Sequence, residues 1–272
     1  RSSGVMSERP VIDVEDNSEF GDALVISCFP SEGFVSSIVA HFLVDRLGLE
    51  LIGGIRHSGL PPVCLVQDGS PLPPIRLYSG VPICNVEKCD RVVLVASEIQ
   101  ISPDLKLPIA SEILDWMHET EAGMAIMIDS YAHGEGQKHS IFDEDKSPDT
   151  VVGIGSTEKS REILEGIGTS LLKQGVVGGM TGVMLGESRR RKVDSLAIIA
   201  ESGGEFSGGG IPDARAAARI IECLDGLLPA VKLDPEPLLE EAKRIEGQIR
   251  EMMALHLNSE SDVVSAPNTM YG

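Results

Sequence analysis

Glycine-rich turns are the first residues of this sequence that could do chemistry, because a glycine loop ahead of a helix can hold a phosphate group on its backbone amides. Gly33 follows an apolar run, and Gly175, Gly178, Gly179 and Gly182 stand later in the chain. Neither stretch continues into Gly-Lys-Ser/Thr, and neither fits G-x-G-x-x-G with an acidic residue after it. We therefore predict that these glycines let a helix pack closely on a sheet.

A third glycine cluster, at residues 203–210, follows a predicted strand. Ligands of α/β proteins gather at the carboxyl ends of strands, so this position suits a binding loop. A mobile surface loop is the alternative, and it is the one we favour.

The residues that could bind a metal ion are weaker candidates than the glycine-rich turns. His133 and His139 lie close together in a polar stretch, and carboxylates stand nearby at Asp129, Glu135, Asp143 and Asp145. No known ligand spacing connects them, so a solvated loop is favoured and no metal is predicted. Cys84 and Cys89 lack a second cysteine pair, which argues against zinc.

Ser36 and Ser37 follow a strand and a turn, as the nucleophile of a hydrolase does. The G-x-S-x-G pattern is absent, and the apolar spacing around them is helical. We predict that both are ordinary helix positions and that the chain has no catalytic residues.

The end of the chain carries the strongest binding signal. Met270 is apolar, Tyr271 is aromatic, and Gly272 is the last residue. A terminal carboxylate can be captured by a partner, while a tyrosine ring and a methionine side chain fill neighbouring apolar pockets. A frayed terminus with chance residues is the alternative.

An apolar seam precedes this tail. Its members are Leu238, Ala242, Ile245, Ile249 and Met252. The spacing of four, three, four and three residues is that of a heptad repeat. About two heptads are too few for an independent coiled coil, so this helix must pack on the body or on another subunit.

One basic run, residues 189–192, contains four consecutive cations. A solvated turn is the favoured interpretation. An acidic groove on a partner is the functional alternative.

Alternating strands and helices must position these residues. Strands are predicted at 23–29, 49–55, 91–97, 124–129, 151–155 and 195–200, and helices at 35–47, 108–121, after Thr157 and at 213–228. The first strand, helix and strand form a βαβ unit with parallel strands. Short strands at 63–67, 75–78 and 81–86 indicate antiparallel hairpins inserted at one edge. The pattern predicts a three-layer α/β/α doubly wound sheet.

The predicted organisation is a flexible segment at 1–20, an α/β/α core domain at 21–230, a C-terminal helix at 231–257 and a flexible tail at 258–272. The composition argues against nucleic acid and membranes as partners. The net charge of -19 repels nucleic acid. No apolar run reaches the roughly 18 residues of a membrane span. Five scattered cysteines favour a reducing cytoplasm over a disulfide framework.

Four segments, in this order, resemble the proteasome assembly chaperone family, in particular its archaeal-type members. They are the opening strand, turn and helix at 23–53, the glycine-rich stretch at 175–185, the alanine-rich stretch at 211–224, and the terminal Met270-Tyr271-Gly272. The resemblance covers most of the chain.

The resemblance implies a non-enzymatic chaperone without cofactors, which self-associates into a homo-oligomer and binds proteasome α-subunits or the 20S α-ring. It also implies that the tail enters pockets between neighbouring α-subunits, where a lysine pairs with the carboxylate of Gly272. A nucleoside- or phosphate-binding enzyme, including an ATP-dependent ligase, is the alternative, because the same fold class hosts such enzymes. The missing phosphate loop argues against it.

Overall fold

A computed structural model describes residues 8–15, 19–81, 91–132, 151–202, 212–228 and 240 of the chain. Nine strands form one sheet in the order β1-β3-β6-β7-β2-β8-β11-β9-β10, and β4 and β5 form a separate hairpin. The strands are β1 (Val11–Val14), β2 (Leu24–Cys28), β3 (Glu50–Arg56), β4 (Leu65–Gln67), β5 (Ser70–Leu72), β6 (Arg76–Gly80), β7 (Val92–Ala96), β8 (Met124–Ala132), β9 (Val151–Gly155), β10 (Ser170–Leu171) and β11 (Ser195–Ser202). The helices are α1 (Val35–Leu47), α2 (Pro103–Glu119), α3 (Glu158–Gly166), α4 (Gly179–Arg191) and α5 (Ala214–Asp225).

The centre of the sheet consists of four parallel strands, β7, β2, β8 and β11. Every residue of β2, β7 and β11 is buried. Such continuous burial requires helices on both faces of the sheet, and the β-branched residues of these strands suit it. The outer strands are mixed in direction, since β11 pairs antiparallel with β9, and β6 pairs antiparallel with both β7 and β3.

Two apolar cores fill the spaces above and below the sheet. One contains the inward faces of α1 and α5, and the other contains those of α2 and α4. In the second core the single tryptophan, Trp116, lies with its ring centroid 5.1 Å from that of Phe20. The predicted three-layer α/β/α architecture is confirmed.

The hairpin region differs from its prediction in two strands, since β5 was not predicted and β6 does not belong to an edge hairpin. The β4–β5 hairpin is present, and it turns at Asp68 and Gly69, both with positive φ. Strand β6 is an internal member of the main sheet, because it lies between β3 and β7. The β3 strand therefore runs in the direction of β2, as predicted, but is separated from it by β6 and β7. Most of the third predicted strand, 81–86, lies outside the described residues.

Two helices begin at residues that the pattern did not indicate. Helix α2 starts at Pro103, before the predicted start at 108, because proline suits the first helical position, where no backbone N–H is needed. Helix α4 starts at Gly179, within the glycine-rich stretch 175–185, where no helix was predicted. Val176, just ahead of it, is 81% exposed.

Two helix caps follow the sequence closely. Thr157 Oγ1 accepts a hydrogen bond from Ser160 N at 3.1 Å at the start of α3. Asp213 Oδ1 accepts one from Ala216 N at 2.9 Å at the start of α5. Each satisfies a backbone N–H that the helix itself leaves unpaired. Among the helices that the structure describes, none has the length and apolar character to cross a bilayer.

Candidate functional site at the carboxyl edge of the parallel strands

The carboxyl ends of β7, β2, β8 and β11 meet at one edge of the sheet, which is where α/β proteins place their ligand sites. Polar side chains are concentrated there. Those that are buried are Ser36, Ser97, Ser130, Glu201 and Ser202. Their hydrogen bonds decide whether this edge is available for chemistry.

The serines after β2 fasten the β2–α1 loop to the end of β8. Ser36 Oγ donates to the Ile128 carbonyl at 2.8 Å, and Ser31 Oγ accepts from Ser36 N at 3.0 Å. Ser130 Oγ donates to the Glu32 carbonyl. Because the Ser36 hydroxyl is held by a main-chain carbonyl of β8, its role is to join the start of α1 to that strand. The prediction that Ser36 and Ser37 are helix positions is confirmed, since both lie in α1.

Gly33 brings the β2–α1 loop against the connection from β11 to α5. Its φ is +59°, and a Cβ at this residue would lie 2.3 Å from Ser202 Oγ and 2.9 Å from Asp213 Cβ. Asp213 N donates to the Gly33 carbonyl at 2.7 Å. The close approach at this glycine joins the β2–α1 loop to the end of β11 and the cap of α5, whereas the prediction was of a helix packing on the sheet.

We expect Gly33→Ala to lower the free energy of unfolding by about 2 kcal/mol or more, because the new methyl group must displace the backbone near Asp213 and because φ is positive. Gly48→Ala is the matched control: Gly48 has the same φ of +59°, and nothing lies within 4 Å of its Cβ position. Urea unfolding followed by Trp116 fluorescence measures both. Equal losses in the two variants would show that the close approach at Gly33 contributes nothing.

A buried ionic cluster lies at the ends of β6 and β7. The Arg76 side chain is 3% exposed, and its Nη2 lies 2.6 and 2.8 Å from the two carboxylate oxygens of Glu98. Arg76 Nε donates to Tyr78 Oη at 3.0 Å. On the other side of Glu98, His41 Nε2 of α1 lies 3.3 Å from the carboxylate. The cluster therefore ties α1 to the β6–β7 side of the sheet.

Glu98 stays ionised in this position. Burial on its own would raise the pKa of the carboxyl, but the neighbouring His41 and the charge and hydrogen bonds of Arg76 outweigh it and lower the pKa to about 2. A carboxylate with so low a pKa is a poor general acid at neutral pH. The role of the Glu98 carboxylate is to neutralise the buried charge of Arg76.

Asp129 lies in the second half of β8, on the face of the sheet that α4 covers. Burial raises the pKa of its carboxyl, and hydrogen bonds from Thr181 and from the Ser130 N–H partly offset that effect. Thr181 stands in the first turn of α4, so the contact joins this helix to β8. The polar groups at this edge thus hold the loops and helices in place.

The tail and the seam lie outside the described residues. This applies to Met270, Tyr271 and Gly272, and to Leu238, Ala242, Ile245, Ile249 and Met252. The glycine cluster at 203–210, the two loop histidines and the Cys84–Cys89 pair also lie outside them. Within the ranges that the structure covers, no group of three or more His, Cys, Asp or Glu residues could hold a metal ion.

Sequence reasoning missed the Arg76–Glu98–His41 cluster. One signal was available: Arg76 interrupts an apolar run beside Ile75 and Leu77. An arginine in a strand that is buried on both faces needs a carboxylate partner. The identity of that partner depends on the pairing of β6 with β7, which the local sequence does not reveal.

The comparisons with known proteins agree over nearly the whole chain. The PAC2 family model matches residues 25–253. A curated relative, an uncharacterised protein of Methanocaldococcus jannaschii, is 26% identical over 239 residues, which is 88% of this chain and 89% of the relative.

Solved structures give the same result. A crystal structure of Pyrococcus furiosus PbaA, described as an archaeal homolog of proteasome-assembly chaperone, is 30% identical, with a TM-score of 0.70 over 92% of this chain and 99% of PbaA. Pyrococcus furiosus PbaB, described as an archaeal proteasome activator, has the same fold at 19% identity, with a TM-score of 0.67 over 90% of this chain and 99% of PbaB. The chain belongs to the PAC2 family.

Proposed function

We propose that this protein is a proteasome assembly chaperone of the archaeal type, acting in the cytoplasm without catalysis and without a cofactor. It binds proteasome α-subunits or the assembled 20S α-ring. The contact is made by its last three residues, Met270, Tyr271 and Gly272. The observation that carries the proposal is this hydrophobic-Tyr-any tail on a chain that is similar to PbaA over 92% of its length.

Each residue of the tail supplies a different part of the contact. In the 272-residue chain, Gly272 carries the terminal carboxylate, which pairs with a lysine of the partner. Tyr271 buries its ring and keeps a hydrogen bond through its hydroxyl. Met270 fills an apolar slot with an adaptable side chain.

A single tail of three residues binds weakly, so the protein acts as a homo-oligomer. The seam formed by Leu238, Ala242, Ile245, Ile249 and Met252 packs against the body or a second subunit. Several tails on one oligomer then bind together, because the first contact raises the effective concentration of the others.

The polar groups at the carboxyl edge support a non-catalytic role. The hydroxyl of Ser36 is hydrogen-bonded to a main-chain carbonyl, and Glu98 is paired with Arg76. In the part of the chain that the structure describes, nothing favours the enzyme alternative over the chaperone.

Capture of purified proteasome α-subunits by the immobilised protein tests the proposal. We expect residues 1–272 to retain the α-subunits and residues 1–269 to lose them. The fold should not change, because the last three residues are separated from the predicted helix by about a dozen mostly polar residues that add little to a core. Equal capture by the two chains, at matched oligomeric state, would place the contact on the body of the protein.

A further inference from the structure

Among the residues that the structure describes, two cations of the basic run at 189–192 have ion pairs and two have none. Arg190 and Arg191 lie in the last turn of α4 and pair with Glu187, at 2.6 and 3.4 Å. Arg191 also contacts Asp115 of α2 at 2.6 Å. Arg189 and Lys192 are exposed, and neither has an ion pair with any residue that the structure describes. We name these two residues the basic pair.

Helix α3 shows the opposite arrangement. Both of its basic side chains have partners: Lys159 Nζ lies 3.0 Å from a carboxylate oxygen of Asp194, and Arg161 donates to the Gly155 carbonyl at 3.2 Å. Three glutamates remain, and all are exposed: Glu158, Glu162 and Glu165. Their spacing of four and three residues places them along one side of the helix. They make no ion pair within the described ranges, and we name them the acidic stripe.

The basic pair and the beginning of the acidic stripe lie at the same end of the molecule. Asp194 follows Lys192 by two residues, and its carboxylate accepts a hydrogen bond from Thr157 Oγ1 at 2.7 Å. Thr157 is the cap of α3, immediately before Glu158. The end of α4 and the start of α3 are therefore neighbours, and they carry charges of opposite sign that no ion pair among the described residues compensates.

We infer that a second copy of this chain docks here, with the basic pair of each copy on the acidic stripe of the other. The inference rests on the proposed homo-oligomer and names its contact. A net charge of -19 makes two copies repel each other, and opposite charges brought together at the contact offset that repulsion. Adjacent patches of opposite sign are self-complementary about a two-fold axis, which is the commonest symmetry of protein dimers.

Charge reversal tests the contact. The first variant carries Arg189→Glu with Lys192→Glu, and the second carries Glu158→Lys with Glu162→Lys. Each places like charges opposite one another, so the dissociation constant should rise by roughly 100-fold or more in sedimentation or light scattering. An equimolar mixture of the two variants should associate again, because each supplies the charge that the other lacks.

The control is Lys106→Glu with Arg215→Glu. It makes the same change in net charge, in the first turns of α2 and α5, at the opposite end of the parallel strands. It should leave the dissociation constant within about twofold, since charges that do not face the partner are screened beyond roughly 10 Å.

The outcomes separate the inference from the proposal beneath it. If the native protein is a monomer at micromolar concentration, the proposal of a homo-oligomer is wrong. A native oligomer whose mass is unchanged in both reversed variants would overturn the inference alone. Lower thermal stability at unchanged mass would also overturn it, because the patches would then be filled from within one chain.

Discussion

Replacing Glu98 by glutamine is expected to lower the free energy of unfolding by about 3–5 kcal/mol, because it leaves the Arg76 charge without a counterion. The Arg76 side chain is 3% exposed, so water cannot take the place of the carboxylate. Urea unfolding at a fixed protein concentration, followed by Trp116 fluorescence, measures the loss.

An exposed ion pair provides the control. Arg56 and Asp13 lie 3.1 Å apart, but their side chains are 71% and 60% exposed. We expect Asp13→Asn to cost less than about 1 kcal/mol, because solvent screens this pair. A second variant, Arg76→Met with Glu98→Gln, should recover part of the loss by removing the buried charge. Similar unfolding midpoints for Glu98→Gln and Asp13→Asn would contradict the assignment of Glu98 as the counterion.

Lowering the pH should also show that the stability of the fold depends on the ionised Glu98. The folded pKa of Glu98 is about 2, below its ordinary value of 4.5. The contribution of this carboxylate is therefore complete above about pH 4.5 and is lost as the pH falls towards 2. The Glu98→Gln variant should lose less stability over this interval than the native protein.

The second large effect is expected in binding. Tyr271→Ala should weaken the affinity for proteasome α-subunits by about 2 kcal/mol or more, roughly 30-fold, because a buried aromatic anchor is lost. Adding one residue after Gly272 should be nearly as damaging, since it displaces the carboxylate by about 3.5 Å. Titration of α-subunits against each variant, at matched oligomeric state, measures both.

Met270→Leu is the matched control, because an apolar slot accepts a side chain of similar volume at little cost. We expect its affinity to remain within a few-fold of the native value. If Tyr271→Ala binds as tightly as Met270→Leu, the tyrosine is not an anchor.

Much of this fold could be predicted from local patterns. The apolar runs gave β2, β7 and β11, and the helical spacing after Gly33 gave α1. The structure confirms their three-layer arrangement. These predictions succeeded because a strand that is buried on both faces has a nearly continuous run of apolar residues in its sequence.

The errors concern positions that depend on distant residues. Strand β6 appeared to belong to an edge hairpin, yet it pairs with β3 and β7 inside the sheet. The Arg76–Glu98 pair arises from that placement and could not be derived from either residue alone. The start of α4 was hidden because glycines at helix positions usually indicate a loop. The predicted role of the last three residues rests on the sequence alone, because they lie outside the described residues.

The position of β2 has a consequence for the order in which the chain can fold. Leu24 pairs with Val92 on one side and with Met124 on the other, and β8 in turn pairs with β11, which begins at Ser195. During synthesis, β2 therefore leaves the ribosome long before either of its neighbours. This largely apolar strand has no pairing partners until the middle of the protein has been translated. A nascent chain halted before β8 would expose this strand edge, so truncated products of this protein should be prone to aggregation.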